Sequence, residues 1–312
     1  MMKTATKNIY LAEPRGFCAG VRRAISIVEQ ALHDFGAPVY VRHEIVHNKH
    51  VIEDLKAKGV IFIDDFSEIA DKSRPVIFSA HGVPISVEAE AKRLKLKTID
   101  ATCPLVAKVH RQIQKLQNLN MEIIVIGNPK HVEIIGTIGQ VKDQSRIHII
   151  NSLAEAEQLG LDPKSNIGFV TQTTLSVDDT HDIVSYLKKK FPTIETMRKD
   201  DICFATTNRQ KAVKEIARQA ELMIVIGSKN SSNSKQLREV ALKNGAKEAF
   251  LIDDAAELDW KTVDRYSSIG ITAGASAPEY LVEDLLYQLR AHYDNINIIE
   301  CKVESEKVDF KL

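Results

Sequence analysis

Three of the four cysteines stand in the same local setting, and that recurrence constrains the fold more than any other feature of the chain. Ile9-Tyr10-Leu11 is strand-like and precedes Cys18. Val21, Ala24, Ile25, Val28 and Leu32 follow at helical spacing, with Gly36 as the stop. Thr98–Thr102 precedes Cys103; Pro104 suits a first helical position, and Leu105, Val109, Ile113 and Leu116 form the stripe. Asp200-Asp201-Ile202 precedes Cys203, with Thr207 as a candidate cap and Val213, Ile216, Ala217 and Ala220 as the stripe. Cys301 has no helical run behind it and falls outside the pattern.

Two further stations repeat downstream. Val39-Tyr40-Val41 opens into "HEIVHNKH", Ile123–Ile126 into "GNPKHVE" and Met223–Ile226 into "GSKNSSNS". His47 lies 29 residues after Cys18, His131 28 after Cys103 and Asn233 30 after Cys203. Then come "SAHGVP" with His81, "TQTTLS" with Thr173 and "TAGASAP" with Ser276, each behind a short apolar run and ahead of a helical one. Short buried strands alternating with helices predict α/β units with mostly parallel strands. Their ligand-binding loops belong at the carboxyl ends of the strands. The spacing predicts three similar α/β units about a pseudo-threefold axis. They are drawn as 1–96, 97–195 and 196–296, with 297–312 as a C-terminal tail, although the strand before each cysteine fits either neighbour.

The chemistry follows from what three separated thiols can hold. The 312 residues carry 42 basic and 42 acidic side chains, so net charge gives no reason to expect nucleic acid or an anionic membrane. The start, Met1–Lys7, has no apolar signal core, and no later stretch is long and apolar enough to span a bilayer. A cytoplasmic location is expected, where cysteines serve metals or catalysis more often than disulfides. Paired zinc spacings and tight ferredoxin-type runs are both missing. Three distant cysteines fit a cubane cluster with an open fourth iron, a Lewis acid able to hold a substrate oxygen. Zinc on three cysteines and a fourth ligand is the alternative at this point. Glu133 beside His131 is a candidate proton donor. His47, His81 and the hydroxyl-rich "KNSSNS" offer donors for a small anion. No nucleoside-triphosphate loop or dinucleotide fingerprint is found.

Eight segments in order, "PRGFCAGV", "HEIVHN", "SAHGV", "DATCPLV", "TQTTLS", "DDICFATTNRQ", "GSKNSSNS" and "TAGASAP", closely resemble the 4-hydroxy-3-methylbut-2-enyl diphosphate reductase family, from about Tyr10 to Pro278. The resemblance implies a trefoil of three α/β domains around one [4Fe-4S] cluster held by Cys18, Cys103 and Cys203, with the fourth iron open to the substrate hydroxyl. It implies reductive removal of that hydroxyl as water, giving isopentenyl and dimethylallyl diphosphates at the end of the methylerythritol phosphate route. Glu133 would be the proton source, with Thr173 and His131 near the allylic hydroxyl. The diphosphate would lie among His47, His81, Ser231, Ser232, Asn233 and Ser276. Electrons would come from a ferredoxin or flavodoxin, ultimately from NADPH. The family usually carries Pro where this chain has Val132, which returns a backbone N–H. An iron–sulfur redox sensor that binds a small anion without turnover is the alternative function.

Overall fold

A computed structural model describes residues 6–195 and 201–312. The polar start up to Ala5, and Asp200 ahead of the third cysteine, lie outside the described residues. The first elements are β1 (Lys7–Glu13), α1 (Ala19–Phe35), β2 (Val39–Arg42), α2 (Lys49–Ala57), β3 (Val60–Ile63), β4 (Val76–Phe78) and α3 (Ile85–Arg93). Next come β5 (Thr98–Asp100), α4 (Pro104–Asn118), β6 (Glu122–Ile126), α5 (Val132–Ile138), β7 (Ile147–Ile150), α6 (Leu153–Glu157), β8 (Ile167–Thr171) and α7 (Val177–Lys190). The last set is α8 (Phe204–Ala217), β9 (Leu222–Ile226), α9 (Ser232–Lys243), β10 (Glu248–Ile252), α10 (Trp260–Val263), β11 (Ser268–Ala273), α11 (Glu279–His292) and β12 (Ile296–Lys302).

The strands form three sheets, and every pairing between named strands is parallel. Their orders are β3-β2-β4-β5, β7-β6-β8 and β10-β9-β11-β1-β12. The same order recurs, and two of the three sheets receive a strand from the next repeat. The strand before Cys103 closes the sheet of the first repeat, and the strand before Cys18 joins the sheet of the third. In the second sheet the corresponding place beside β8 is taken by Glu195, which bridges Gly168 on the way to Cys203. Sheet membership is therefore offset by one strand from the segments 1–96, 97–195 and 196–296. An apolar run specifies a buried strand but not which neighbour it joins. Residues 297–302, read from sequence as tail, belong to β12, which pairs with β1 from Lys7 to Glu13 and carries Cys301.

By compactness the chain divides into two units. One comprises Met1–Val21, His47–Glu53 and Phe204–Asp309, and contains the five-stranded sheet. Ile216, Ala217 and Val240 of α8 and α9 pack on one face of that sheet through Met223 and Val225. Val282, Leu285 and Leu289 of α11 pack against Ile224, Ile269 and Ile271. Both faces are covered, which is why β9 is apolar at all five positions. The other unit comprises Arg22–Val46, Asp54–Cys203 and Phe310–Leu312, with the other two sheets. There Val109, Ile113 and Leu116 of α4 pack on β6, while Ile183 and Leu187 of α7 cover Ile124 and Phe169.

Two local readings are corrected by packing. Helix α8 begins at Phe204, so Thr207 lies inside it rather than at its cap. The buried stripe of α1 runs through Val21, Ala24, Ile27, Val28 and Ala31, leaving Ile25 and Leu32 half-buried; on α4, Val106 is buried where Leu105 is not. No helix among the described residues is long and apolar enough to cross a membrane.

Gly270, in the middle of β11, shows how tightly α8 sits on its sheet. A Cβ there would lie 2.2 Å from Met223 Sδ and 2.5 Å from Ile216 Cγ2. Gly270→Ala should destabilise the chain by about 1–3 kcal/mol through overpacking. A chemical-denaturation midpoint equal to the parent's would contradict this packing.

Candidate active site

The three repeated cysteines share one backbone arrangement. Cys18 N–H donates to Ala275 O at 3.1 Å, Cys103 N–H to Ala80 O at 3.0 Å and Cys203 N–H to Thr173 O at 3.1 Å. Each acceptor lies in the "TAGAS", "SAHGV" or "TQTTL" station of the repeat that lends its sheet. A helix starts at the next residue in every case: Ala19, Pro104 and Phe204. All three cysteines are partly buried. Each cysteine thus stands directly ahead of a helix, placed as a soft sulfur donor. That donor set fits an iron–sulfur cluster better than a hard cation. Among the described residues no group of three or more His, Cys, Asp and Glu side chains forms a metal site. Cys301 differs: it sits on edge strand β12 with no helix behind it, and burial pushes its thiol up, away from thiolate.

Within the unit that holds Cys103 and Cys203, the acid and two histidines come together. Glu133 is 3% exposed, on the first turn of α5 rather than in the loop expected from sequence. His131 is the N-cap, and its Nδ1 accepts the Glu133 N–H at 3.2 Å. A neutral ring accepting at Nδ1 carries its proton on Nε2. Thr173 donates to Glu133 twice, from its N–H to Oε1 at 2.6 Å and from its hydroxyl to Oε2 at 3.0 Å. Thr173 O in turn holds Cys203, so acid, hydroxyl and cysteine form one connected backbone assembly. The His81 and His131 rings meet edge to face at 6.0 Å between centroids. A glycine face of α5 permits this approach: a Cβ on Gly136 would stand 3.0 Å from Gly82 O.

The unit that holds Cys18 gathers the anion-type donors. Ser231 is the N-cap of α9, accepting the Ser234 N–H, and Ser232 and Asn233 form its first turn. "KNSSNS" is thus a helix N-terminus, where backbone N–H groups and the dipole favour an anion. Asn233 Oδ1 accepts Ala275 N–H at 2.9 Å, and Ser276 Oγ donates to His47 O at 2.9 Å. Ala275 therefore joins Asn233 through its N–H and Cys18 through its carbonyl.

The profile of the LytB protein family matches residues 9–290. A 4-hydroxy-3-methylbut-2-enyl diphosphate reductase of Hyphomonas neptunium is 52% identical over 305 residues, spanning 98% of this chain and 96% of its own. One from Ruegeria pomeroyi is 48% identical over 312 residues, spanning 100% and 98%. The chain belongs to the 4-hydroxy-3-methylbut-2-enyl diphosphate reductase family. The solved E-1-hydroxy-2-methyl-but-2-enyl-4-diphosphate reductase of Plasmodium falciparum superposes with a TM-score of 0.92 at 39% identity, over 98% of this chain and 96% of that one. The α/β architecture described above is that of the reductase family.

Val132 opens α5, and the His131 cap bond defines the turn in the present chain. Sequence reasoning passed over two buried groups nearby. Gln172 is 1% exposed; its Oε1 accepts Asn128 N–H and its Nε2 donates to Thr174 Oγ1, each at 3.1 Å, tying two stations together. His110, seven residues after Cys103, packs behind Gly82, whose φ of +76° and 2.4 Å clearance to His110 Cε1 admit only glycine. Burial pushes the His110 imidazole down to about 4, so it is neutral. Gln172 lies inside "TQTTLS", a signal that was visible; His110 reads as one more helix-face residue.

Burial pushes the Glu133 carboxyl up to about 7, against the two Thr173 hydrogen bonds that favour the anion. Its folded pKa is raised above the unfolded 4.5, so its contribution to stability is greatest below 4.5 and is lost as pH rises through about 7. Relative to Glu133→Gln, which does not ionise, the parent should lose about 3 kcal/mol of unfolding free energy between pH 4.5 and about pH 8. A pH-independent difference between the two proteins would show that the carboxyl is not held protonated by burial.

Proposed function

We propose that this protein reductively dehydroxylates (E)-4-hydroxy-3-methylbut-2-enyl diphosphate to isopentenyl and dimethylallyl diphosphates, the last step of the methylerythritol phosphate route. The observation that carries this reading is the buried Glu133 carboxyl, hydrogen-bonded to Thr173, whose own carbonyl fixes Cys203. A redox sensor has no use for a protonated acid in that place.

In this reading Cys18, Cys103 and Cys203 would each hold one iron of a [4Fe-4S] cluster at the centre of a trefoil of the three sheets; the exchange of β1 and β5 between repeats supports that arrangement. When bound, the cluster supplies an open Lewis-acidic iron and a relay for two electrons. Ser231, Ser232, Asn233 and Ser276 bind and orient the diphosphate, with His47 and His81 as further donors. The helix N-terminus of α9 offsets its charge without a lysine clamp. Thr173 and His131 hold the allylic hydroxyl. Glu133 delivers a proton to that oxygen as the carbon–oxygen bond breaks; two electrons and two protons enter in all, and water leaves. A carboxyl with a pKa near neutrality suits both delivering and regaining a proton at physiological pH. The Thr173 hydroxyl can donate to the carboxylate and accept from the acid, so it stays bonded in both states. A ferredoxin or flavodoxin, fed by NADPH, donates the electrons, and the protein works in the cytoplasm.

Anaerobic purification, iron and sulfide analysis, and turnover with reduced viologen and the hydroxylated diphosphate test the reading. An assembled cluster without dehydroxylation would favour the sensor. Replacing Cys18, Cys103 or Cys203 with Ser should deplete cluster iron, whereas Cys301→Ala should keep both iron and turnover. Glu133→Gln should keep cluster and substrate binding while turnover falls about 10²-fold or more. Loss of iron from Cys301→Ala, with iron retained in Cys203→Ser, would overturn the ligand assignment.

A further inference from the structure

One group in the third cysteine segment, "DDICFATTNRQ", is not used by this mechanism. Arg209, on α8 six positions after Cys203, is 1% exposed and ranks among the largest fully buried side chains. Its Nε and Nη2 both donate to one carbonyl, Gly16 O, at 3.1 and 2.7 Å. Its Nη1 donates to Ala205 O and to Glu306 Oε1, each at 2.9 Å. The Glu306 side chain is itself only 9% exposed and also accepts from Asn208 Nδ2 at 3.3 Å.

Gly16 stands two residues before Cys18, in the turn between β1 and α1. Its φ is +63°, and a Cβ would lie 3.2 Å from Ala277 O, so the turn depends on glycine. On one side the turn is fixed by Gly16 N–H to Ala273 O and Cys18 N–H to Ala275 O, both at 3.1 Å. On the other side, Arg209 is its anchor. A buried guanidinium needs a compensating anion, and that anion comes from the segment after β12. Val303 N–H bonds Glu13 O at 3.0 Å, which sends the chain along β1 toward α8. The Lys211–Glu304 and Lys302–Glu13 pairs that flank this path are exposed, and exposed pairs contribute little. Further along, Arg23 Nε donates to Lys311 O at 2.8 Å; Glu306 is the strap's buried charge contact with α8.

We propose that Arg209, neutralised by Glu306 of the C-terminal segment, is the positioning residue for the Cys18 turn, and that this segment is a strap that holds one cluster ligand in register. The proposal rests on the reading of Cys18 as an iron ligand, but its geometry is testable without iron.

The test uses full-length Arg209→Met/Glu306→Leu, which strands no buried charge, together with Glu306→Gln, which keeps an acceptor oxygen. Hydrogen–deuterium exchange is followed in the iron-free chain at Gly16 and Cys18, with the amides of β9 as internal reference. In the double variant the Gly16 and Cys18 amides should exchange at least about tenfold faster while β9 is unchanged, and Glu306→Gln, which leaves the buried guanidinium without its anion, should also exchange faster there than the parent. After anaerobic reconstitution, the double variant should also lose iron to a chelator faster and show an altered EPR spectrum for the reduced cluster. If the double variant does not fold, Arg209→Lys decides, because a single ammonium cannot fork onto Gly16 O, Ala205 O and Glu306 together. Unchanged exchange at Gly16 and Cys18 in the deciding variant would overturn the proposal. A parent chain that assembles no cluster would instead overturn the functional reading, and the exchange data would still decide the strap.

Discussion

The placement of Cys18 and Cys103 depends on a strand that leaves its own repeat to complete the preceding sheet. β5 pairs with β4, β1 pairs with β11, and Glu195 bridges β8. Each lent strand ends beside the third-station loop of its host sheet, and the cysteine that follows donates its N–H to that loop. A single such hydrogen bond is worth about 1 kcal/mol net, too little to impose a geometry. The parallel pairing upstream sets where Cys18 and Cys103 lie, and the hydrogen bond fixes the last turn. The same crossing brings functional groups from two repeats together: Thr173 from one touches Cys203 from the next, and Ala275 and Asn233 from the third serve Cys18 from the first.

Glu133 illustrates a contest that burial wins. It sits on the first turn of α5 and accepts two hydrogen bonds from Thr173, both of which favour the carboxylate. A helix N-terminus contributes about 0.3–1 kcal/mol in its favour. The rise from 4.5 to about 7 corresponds to roughly 3 kcal/mol the other way. The enclosing residues therefore move the titration to near neutral pH, and the Thr173 bonds orient the group there.

Much of this was legible in the sequence, because its period is long and its elements short. Strand-cysteine-helix triplets with matched downstream loops were enough to place the elements, and the parallel sheets and helices follow that plan. Other features were not legible, for identifiable reasons. Whether the strand before a cysteine pairs forward or back depends on non-local pairing, which an apolar run of three residues does not encode. Ser231–Asn233 and Glu133 looked like loop residues because Ser, Asn and His favour turns; the same preference makes Ser231 and His131 helix caps. β12 was missed because its half-buried edge alternates Ile with Asn, Glu and Lys. Arg209 was hidden in a quoted motif, since burial of a guanidinium depends on a carboxylate 97 residues away.

The central proposal is that the three cysteines sharing one backbone setting hold one cubane and leave its fourth iron open. Mössbauer spectroscopy of the anaerobically reconstituted protein tests this most directly. The account predicts four irons per chain in subspectra of about three to one, with only the minor component shifting when the allylic diphosphate is added. Four indistinguishable irons, or a minor component that ignores the diphosphate, would contradict it.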